Sequence, residues 1–87
     1  MNERVVVLTK SAEKELRRLP KGVVEIMDQL RHDLKAEGPT PKGWIVKHVL
    51  GQPGVYSARL KREYRVLYEV HAFSIIILSV SHRKEAY

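Results

Sequence analysis

Apolar residues recur at helical spacing in the first part of the chain and alternate with polar ones in the second, which divides the sequence into a helical half and a sheet half. Residues 3–8 are built around Val5, Val6 and Val7 and predict a strand, because β-branched side chains fit a pleated surface. Ala12, Leu16 and Leu19 then fall at i, i+4 and i+7, with Lys14, Glu15, Arg17 and Arg18 toward water, so a short helix follows, capped by Thr9 or Ser11. Pro20 ends that helix and suits the first turn of another, where no backbone donor is needed. This second helix is expected over about 21–36, with Val23, Met27, Leu30 and Leu34 as its buried stripe. Gly38 and Pro39 stop it, and the Pro/Gly-rich connector 38–43 is too short to separate two domains.

Four strands are expected beyond the connector. The first covers 44–50 and is followed by a Gly/Pro turn at 51–54. In the second, 55–60, Tyr56, Ala58 and Leu60 point one way and Ser57 and Arg59 the other. The chain reverses at 61–63 without an Asn-Gly or Asp-Gly signal. Residues 64–70 put Tyr64, Val66, Tyr68 and Val70 in an apolar row, with Arg65 opposite. The run 73–80 is apolar nearly throughout and suits a strand covered on both faces. Its parity sets a large apolar row, Ile76, Leu78 and Val80, against a row passing from Ile75 and Ile77 to Ser79, Ser81 and Arg83, which resembles the floor of a site with a cation at its rim. The expected fold is therefore α+β, in which an N-terminal strand and a helical hairpin precede a four-strand antiparallel meander. The helices pack on one sheet face and leave the other, with Arg59, Arg65 and Arg83, open to a ligand.

Composition narrows what that ligand can be. Eighty-seven residues make a single domain, 1–87, and neither an apolar run of membrane-spanning length nor a signal peptide is present, so a cytoplasmic location is expected. Without cysteine there are no disulfides, thiolate metal sites or Cys nucleophiles, and His32, His48, His71 and His82 lack the paired spacing of metal ligands. The net charge of +6 is uneven: residues 1–37 hold eight Lys and Arg against seven Asp and Glu, and residues 38–87 hold eight against three. A basic excess confined to the sheet half points to a polyanionic partner, nucleic acid or an acidic protein segment, with simple solubility as the competing explanation.

The order of elements, together with Tyr64-Arg65-Val66-Leu67-Tyr68-Glu69-Val70 and the ending Ser79-Val80-Ser81-His82-Arg83-Lys84-Glu85-Ala86-Tyr87, resembles the RelE/ParE superfamily of bacterial and archaeal toxins over nearly the whole chain, and the ending is similar to its RelE branch. That resemblance implies a toxin of a type II toxin–antitoxin system that enters the ribosomal A site, cuts messenger RNA there and is neutralised by an antitoxin encoded beside it. Contact with DNA is then only indirect, through the antitoxin. Arg65 stands where the family has the arginine of its Tyr-Arg strand, and Arg83 and Tyr87 match the basic and aromatic residues of the terminal motif. Arg59 falls near a position that is commonly Lys or Arg, whereas Ser57 stands where some members carry a second Lys. The chain also stops at Tyr87, without the further helix of some members.

The chemistry agrees with what the resemblance implies. RNA is cleaved when its own 2′-hydroxyl attacks the adjacent phosphorus, so a protein needs no nucleophile, metal or cofactor. It must align the oxygen, stabilise charge on the phosphate and move two protons. Arg59, Arg65 and Arg83 suit the second task, since guanidinium stays protonated and grips phosphate in a bidentate manner, and for the same reason they are poor bases. Tyr87, His82 and Lys84 are the nearby groups able to move a proton; Tyr87 serves as a base if cations depress its pKa, or else it is a stacking platform for a base. Lys47, Lys61, Arg62, Lys84 and His82 are counted as RNA- or ribosome-contacting residues, although His82 has opposite parity to Arg83 and a structural place toward the helices or an edge fits it as well. Arg65 has a competing role as a partner of Glu69 on its own face, and Tyr56, Tyr64 and Tyr68 lie on apolar rows and belong to the core. Two other functions remain open: a ParE-like toxin that inhibits gyrase by binding alone, and a basic module that only grips RNA or an antitoxin.

Overall fold

The computed structural model describes residues 4–82, and its elements run β1 (Val5–Leu8), α1 (Lys10–Arg17), α2 (Lys21–Glu37), β2 (Val46–His48), β3 (Val55–Leu60), β4 (Tyr64–Val70) and β5 (Ser74–His82). They form one five-stranded sheet in the order β1-β5-β4-β3-β2. The last four strands pair antiparallel in sequence order, while β1 joins β5 in parallel, which makes the sheet mixed. A parallel pair needs a long crossover connection. Here the helical hairpin is part of that connection, and it covers one sheet face on the way.

The hairpin follows from local chemistry. Thr9 caps α1, its hydroxyl accepting the Ala12 N–H at 3.1 Å. The Pro20 carbonyl accepts from Val23 and Val24 and starts α2 without a side-chain cap. At the far end Gly38 has φ 93°, a region that side chains avoid, so glycine suits this stop. The helical stripe Val23, Met27, Leu30 and Leu34 is buried, and it meets Ala58, Leu60, Val66, Tyr68, Ile75, Ile77 and Val80 from the sheet in one core. Each such fully buried aliphatic side chain contributes about 1.5–3 kcal/mol.

Three sequence expectations shift. The strand expected over 44–50 is regular only at Val46–His48. Trp44 is held back by an indole N–H bond to Asp33 Oδ2 (2.8 Å), which ties it to α2, while Val49 begins the turn by accepting from Gln52. The second concerns β5: Ile75 and Ile77 are wholly buried and so is Val80, so the expected apolar row of Ile76, Leu78 and Val80 is wrong for its first two members. Tyr68 pairs with Ile77 but Leu67 pairs with Ser79, leaving Leu78 as an extra residue. A β-bulge of this kind exchanges the two faces partway along a strand, which no uniform alternation can predict. Third, Glu15 does not face water; its carboxylate accepts the Val80 N–H at 2.9 Å.

Tyr68 anchors the sheet to the connector after α2. Its phenol donates to the Pro39 carbonyl, its ring stacks on Tyr56 with centroids 5.8 Å apart, and burial, then the neighbouring Tyr56, raises its pKa far above the ordinary phenol value. The folded state thus holds the Tyr68 proton more tightly than the unfolded chain, so this contribution is intact below about pH 10 and is lost as pH rises beyond that. Tyr68→Phe should cost about 1–3 kcal/mol in urea unfolding at neutral pH by leaving the carbonyl without its donor. It should also flatten the decline of stability above about pH 10, and an unchanged alkaline decline would contradict the assignment.

Candidate anion-binding site

The face of the sheet away from the helices is basic at one end. Arg59 on β3 stands directly opposite Arg65 on β4, and Arg65 in turn stands opposite Ser81 on β5. The Arg59 N–H bonds to the Ile45 carbonyl at 3.0 Å, toward the β2 side. Arg59 and Arg65 are therefore a non-hydrogen-bonded pair, the type in which side chains approach most closely. Like charges in that relation repel one another, and an anion between two guanidinium groups is attracted to both.

Lys47 on β2 lies across from Ser57, and Ser57 lies across from Leu67 on β4. The position where this chain lacks a cation on β3 therefore has a lysine beside it on the neighbouring strand. Lys47, Ser57, Arg59 and Arg65 line one shallow depression of about 20 Å³ together with Ile45 and Ala58. Larger hollows, such as one of about 510 Å³ between the helices, are lined by Leu8, Leu16, Leu19 and Val24 with Glu13, Arg17 and Arg31, and lack this concentration of cations. A nearly flat cationic surface fits a phosphate on an extended polymer better than it fits a small enclosed ligand. Beyond Arg65, Ser79 and Ser81 lie on the same open face, across from Leu67 and Arg65, so both serines belong to the floor as expected whereas Ile75 and Ile77 belong to the core.

The remaining candidates spread around this centre. Lys61 and Arg62 are exposed at the hairpin tip between β3 and β4. Lys61 has φ 53°, and its ammonium lies 3.2 Å from where a Gly22 Cβ would be, so it leans toward the start of α2. His82 is on the helix side of β5, edge-on to Tyr64 with centroids 5.1 Å apart and with Nε2 3.3 Å from Glu63. Glu69, the acid on Arg65's own face, bonds His71 Nε2 at 2.9 Å near the opposite end of β4. His48 packs edge-on against Tyr56. Arg83, Lys84 and Tyr87 lie outside the described residues. Among the described residues no group of His, Asp and Glu converges as a metal site, and no helix is long and apolar enough to cross a membrane.

Residues 6–87 match the family model described as the ParE toxin of the type II toxin–antitoxin system, parDE. No curated protein matches the sequence at significant similarity. Among solved structures, the chain is similar to the RelE–RelB complex of Pyrococcus horikoshii OT3, with 31% identity, 95% of this chain and 97% of that chain covered, and a TM-score of 0.80. It is also similar to the toxin–antitoxin complex RelBE2 of Mycobacterium tuberculosis, at 27% identity over 95% of this chain and 94% of that one, with a TM-score of 0.72. The RelB–RelE complex of Methanococcus jannaschii, at 22% identity, shares the fold, with a TM-score of 0.84 over 93% of this chain and 94% of that one.

Proposed function

The chain belongs to the ParE toxin family of type II toxin–antitoxin systems, and from its likeness to a RelE–RelB complex and its basic open face we propose that it is a RelE-like toxin acting as a metal-independent, ribosome-dependent messenger RNA endoribonuclease. The observation that carries this reading is the Arg59–Arg65 pair, two cations placed side by side on an open face. Its chemistry fits a scissile phosphate. As the 2′-oxygen adds to phosphorus, negative charge grows on the non-bridging oxygens, and fixed guanidinium groups favour that state over the ground state. Ser57 and Ser81 flank the arginines with short side chains, which leaves room for the ribose-phosphate. Arg83 adds a third cation and Tyr87 a proton carrier or stacking ring by their match to the terminal motif. Lys47, Lys61, Arg62 and Lys84 contribute phosphate contacts along the strand or to ribosomal RNA, and His82, tied to Glu63 and Tyr64, holds the end of β5 more than it touches RNA.

A cognate antitoxin is the protein partner, in keeping with the RelE–RelB complex to which the chain is similar. The action is placed in the cytoplasm, with the 30S A site and its messenger RNA as the other partners and no cofactor.

Around Arg59 and Arg65 the described part of the open face offers arginine, lysine and serine, side chains that are poor bases at neutral pH, while Glu69 on the same face stands near the far end of β4, bonded to His71. Alignment and proton transfer must then be completed on the ribosome. Purified protein should cut messenger RNA on programmed ribosomes at least about a hundredfold faster than the same RNA free in solution. Equal rates on both would refute the ribosome dependence.

The match to a ParE toxin model keeps a second reading open, a ParE-like toxin that inhibits DNA gyrase by binding without hydrolysis. A supercoiling assay separates the two. Inhibition at stoichiometric toxin with ribosome-bound messenger RNA left intact would establish the second and end the first.

A further inference from the structure

β5 outruns its parallel neighbour. Pairing with β1 covers Ser74 to Ile77, yet β5 continues to His82, so beyond Ile77 one edge of β5 faces no strand among the described residues. Backbone groups on such an edge need other partners. Residues at the start and along the length of α1 supply them. The Thr9 N–H donates to the Ile77 carbonyl (3.1 Å), the Thr9 hydroxyl donates to the Leu78 carbonyl (3.2 Å), and the Val80 N–H donates to Glu15 Oε1 (2.9 Å). These three groups flank the bulge at Leu78 on either side.

The bulge decides what meets Arg65. Ile75 and Ile77 point into the core, so unbroken alternation would send Ser79 and Ser81 inward as well and turn Val80 and His82 toward the arginines. With Leu78 inserted, Val80 is buried and Ser81 stands across from Arg65. The Val80 N–H points away from β4, which makes Val66 and Val80 a non-hydrogen-bonded pair and leaves that N–H for Glu15. A carboxylate is the strongest acceptor a side chain can offer to a backbone N–H.

We propose that Glu15 is a positioning residue of the toxin: by accepting the Val80 N–H it locks the bulged register of β5 and so fixes where the end of that strand stands against Arg65. The functional half of this inference rests on the nuclease reading above; the structural half does not. Glu15 touches no RNA. Its removal should therefore lower the rate of the chemical step and leave ribosome binding alone, and an uncharged side chain with an oxygen acceptor should restore the rate.

Glu15→Ala and Glu15→Gln test this in two measurements. The first is NMR of the free protein, reading exchange of the Val80 amide and the Val66–Val80 Hα–Hα contact that reports register. The second is single-turnover cleavage and binding on programmed ribosomes. In Glu15→Ala the Val80 amide should exchange at least about tenfold faster, the Hα contact should weaken and the cleavage rate should fall about tenfold or more, with ribosome affinity within about twofold. Glu15→Gln should recover protection and most of the rate. Retained protection and rate in Glu15→Ala overturn the proposal, and so does a Gln variant as impaired as the Ala variant. Should Glu15→Ala fail to fold, the same comparison is made between Glu15→Gln and wild type, where loss of Val80 protection overturns it. A wild-type protein that cuts nothing overturns the nuclease reading, and the NMR measurement then decides the Glu15 lock by itself.

Discussion

Arg65→Ala is expected to slow messenger RNA cleavage on programmed ribosomes by roughly a hundred- to a thousandfold, the loss usual when one fixed donor to a developing oxyanion is removed. The same substitution should change the stability of the fold by no more than about 1 kcal/mol, because Arg65 is half-buried on the open face and lies outside the core. That combination separates a functional arginine from a structural one, which would lose stability and activity in step. Arg59→Ala should show the same direction with a smaller loss of rate, since Arg59 is exposed. Arg83→Ala should resemble Arg65→Ala. Cleavage within about twofold of wild type in both Arg65→Ala and Arg83→Ala would remove the phosphate clamp, and with it the main reason for placing chemistry on this face.

The side-chain parity of β3 and β4 is legible in the sequence because the inward row of each strand is apolar throughout, even though Val55 and Leu67 interrupt the polar outward row. Tyr56, Ala58 and Leu60, then Val66 and Tyr68, point inward and leave Arg59 and Arg65 outward, so the centre of the site follows from period alone. The helical stripe of Val23, Met27, Leu30 and Leu34 is legible for the same reason. β5 is different. Ile75, Ile76, Ile77 and Leu78 form an unbroken apolar run that shows no period of two, and the groups that bond beside the bulge at Leu78 come from residues remote in sequence, Thr9 and Glu15. A single acidic residue on a short polar helix gives no local sign that it will reach a strand 65 positions away. Lys47 is a similar case: its basic charge is visible, but its place across from Ser57 depends on the β2–β3 register, which the turn at 51–54 sets. Pairing of β1 with β5 is likewise not a local property, since it rests on the handed crossover through the helices.

Neutralisation should follow from the same electrostatics that the site uses on RNA. The open face presents Lys47, Arg59 and Arg65 together, with Glu69 set apart near the far end of β4 in contact with His71. An acidic or amphipathic antitoxin segment, disordered alone and ordered on binding, would meet these cations as a phosphate strand does and exclude it. Opposite charge speeds encounter as well as favouring the bound state, so capture should slow as salt rises. The product of the adjacent reading frame is expected to co-purify with the toxin, and the complex should bind programmed ribosomes at least about a hundredfold more weakly than the free toxin, because Arg59 and Arg65 cannot serve both partners. Any DNA bound by the complex should be contacted through the antitoxin, so that free toxin shows no operator binding. A complex that binds ribosomes and cleaves messenger RNA as well as the free toxin would show that the antitoxin leaves this face uncovered, and the competition account would be wrong.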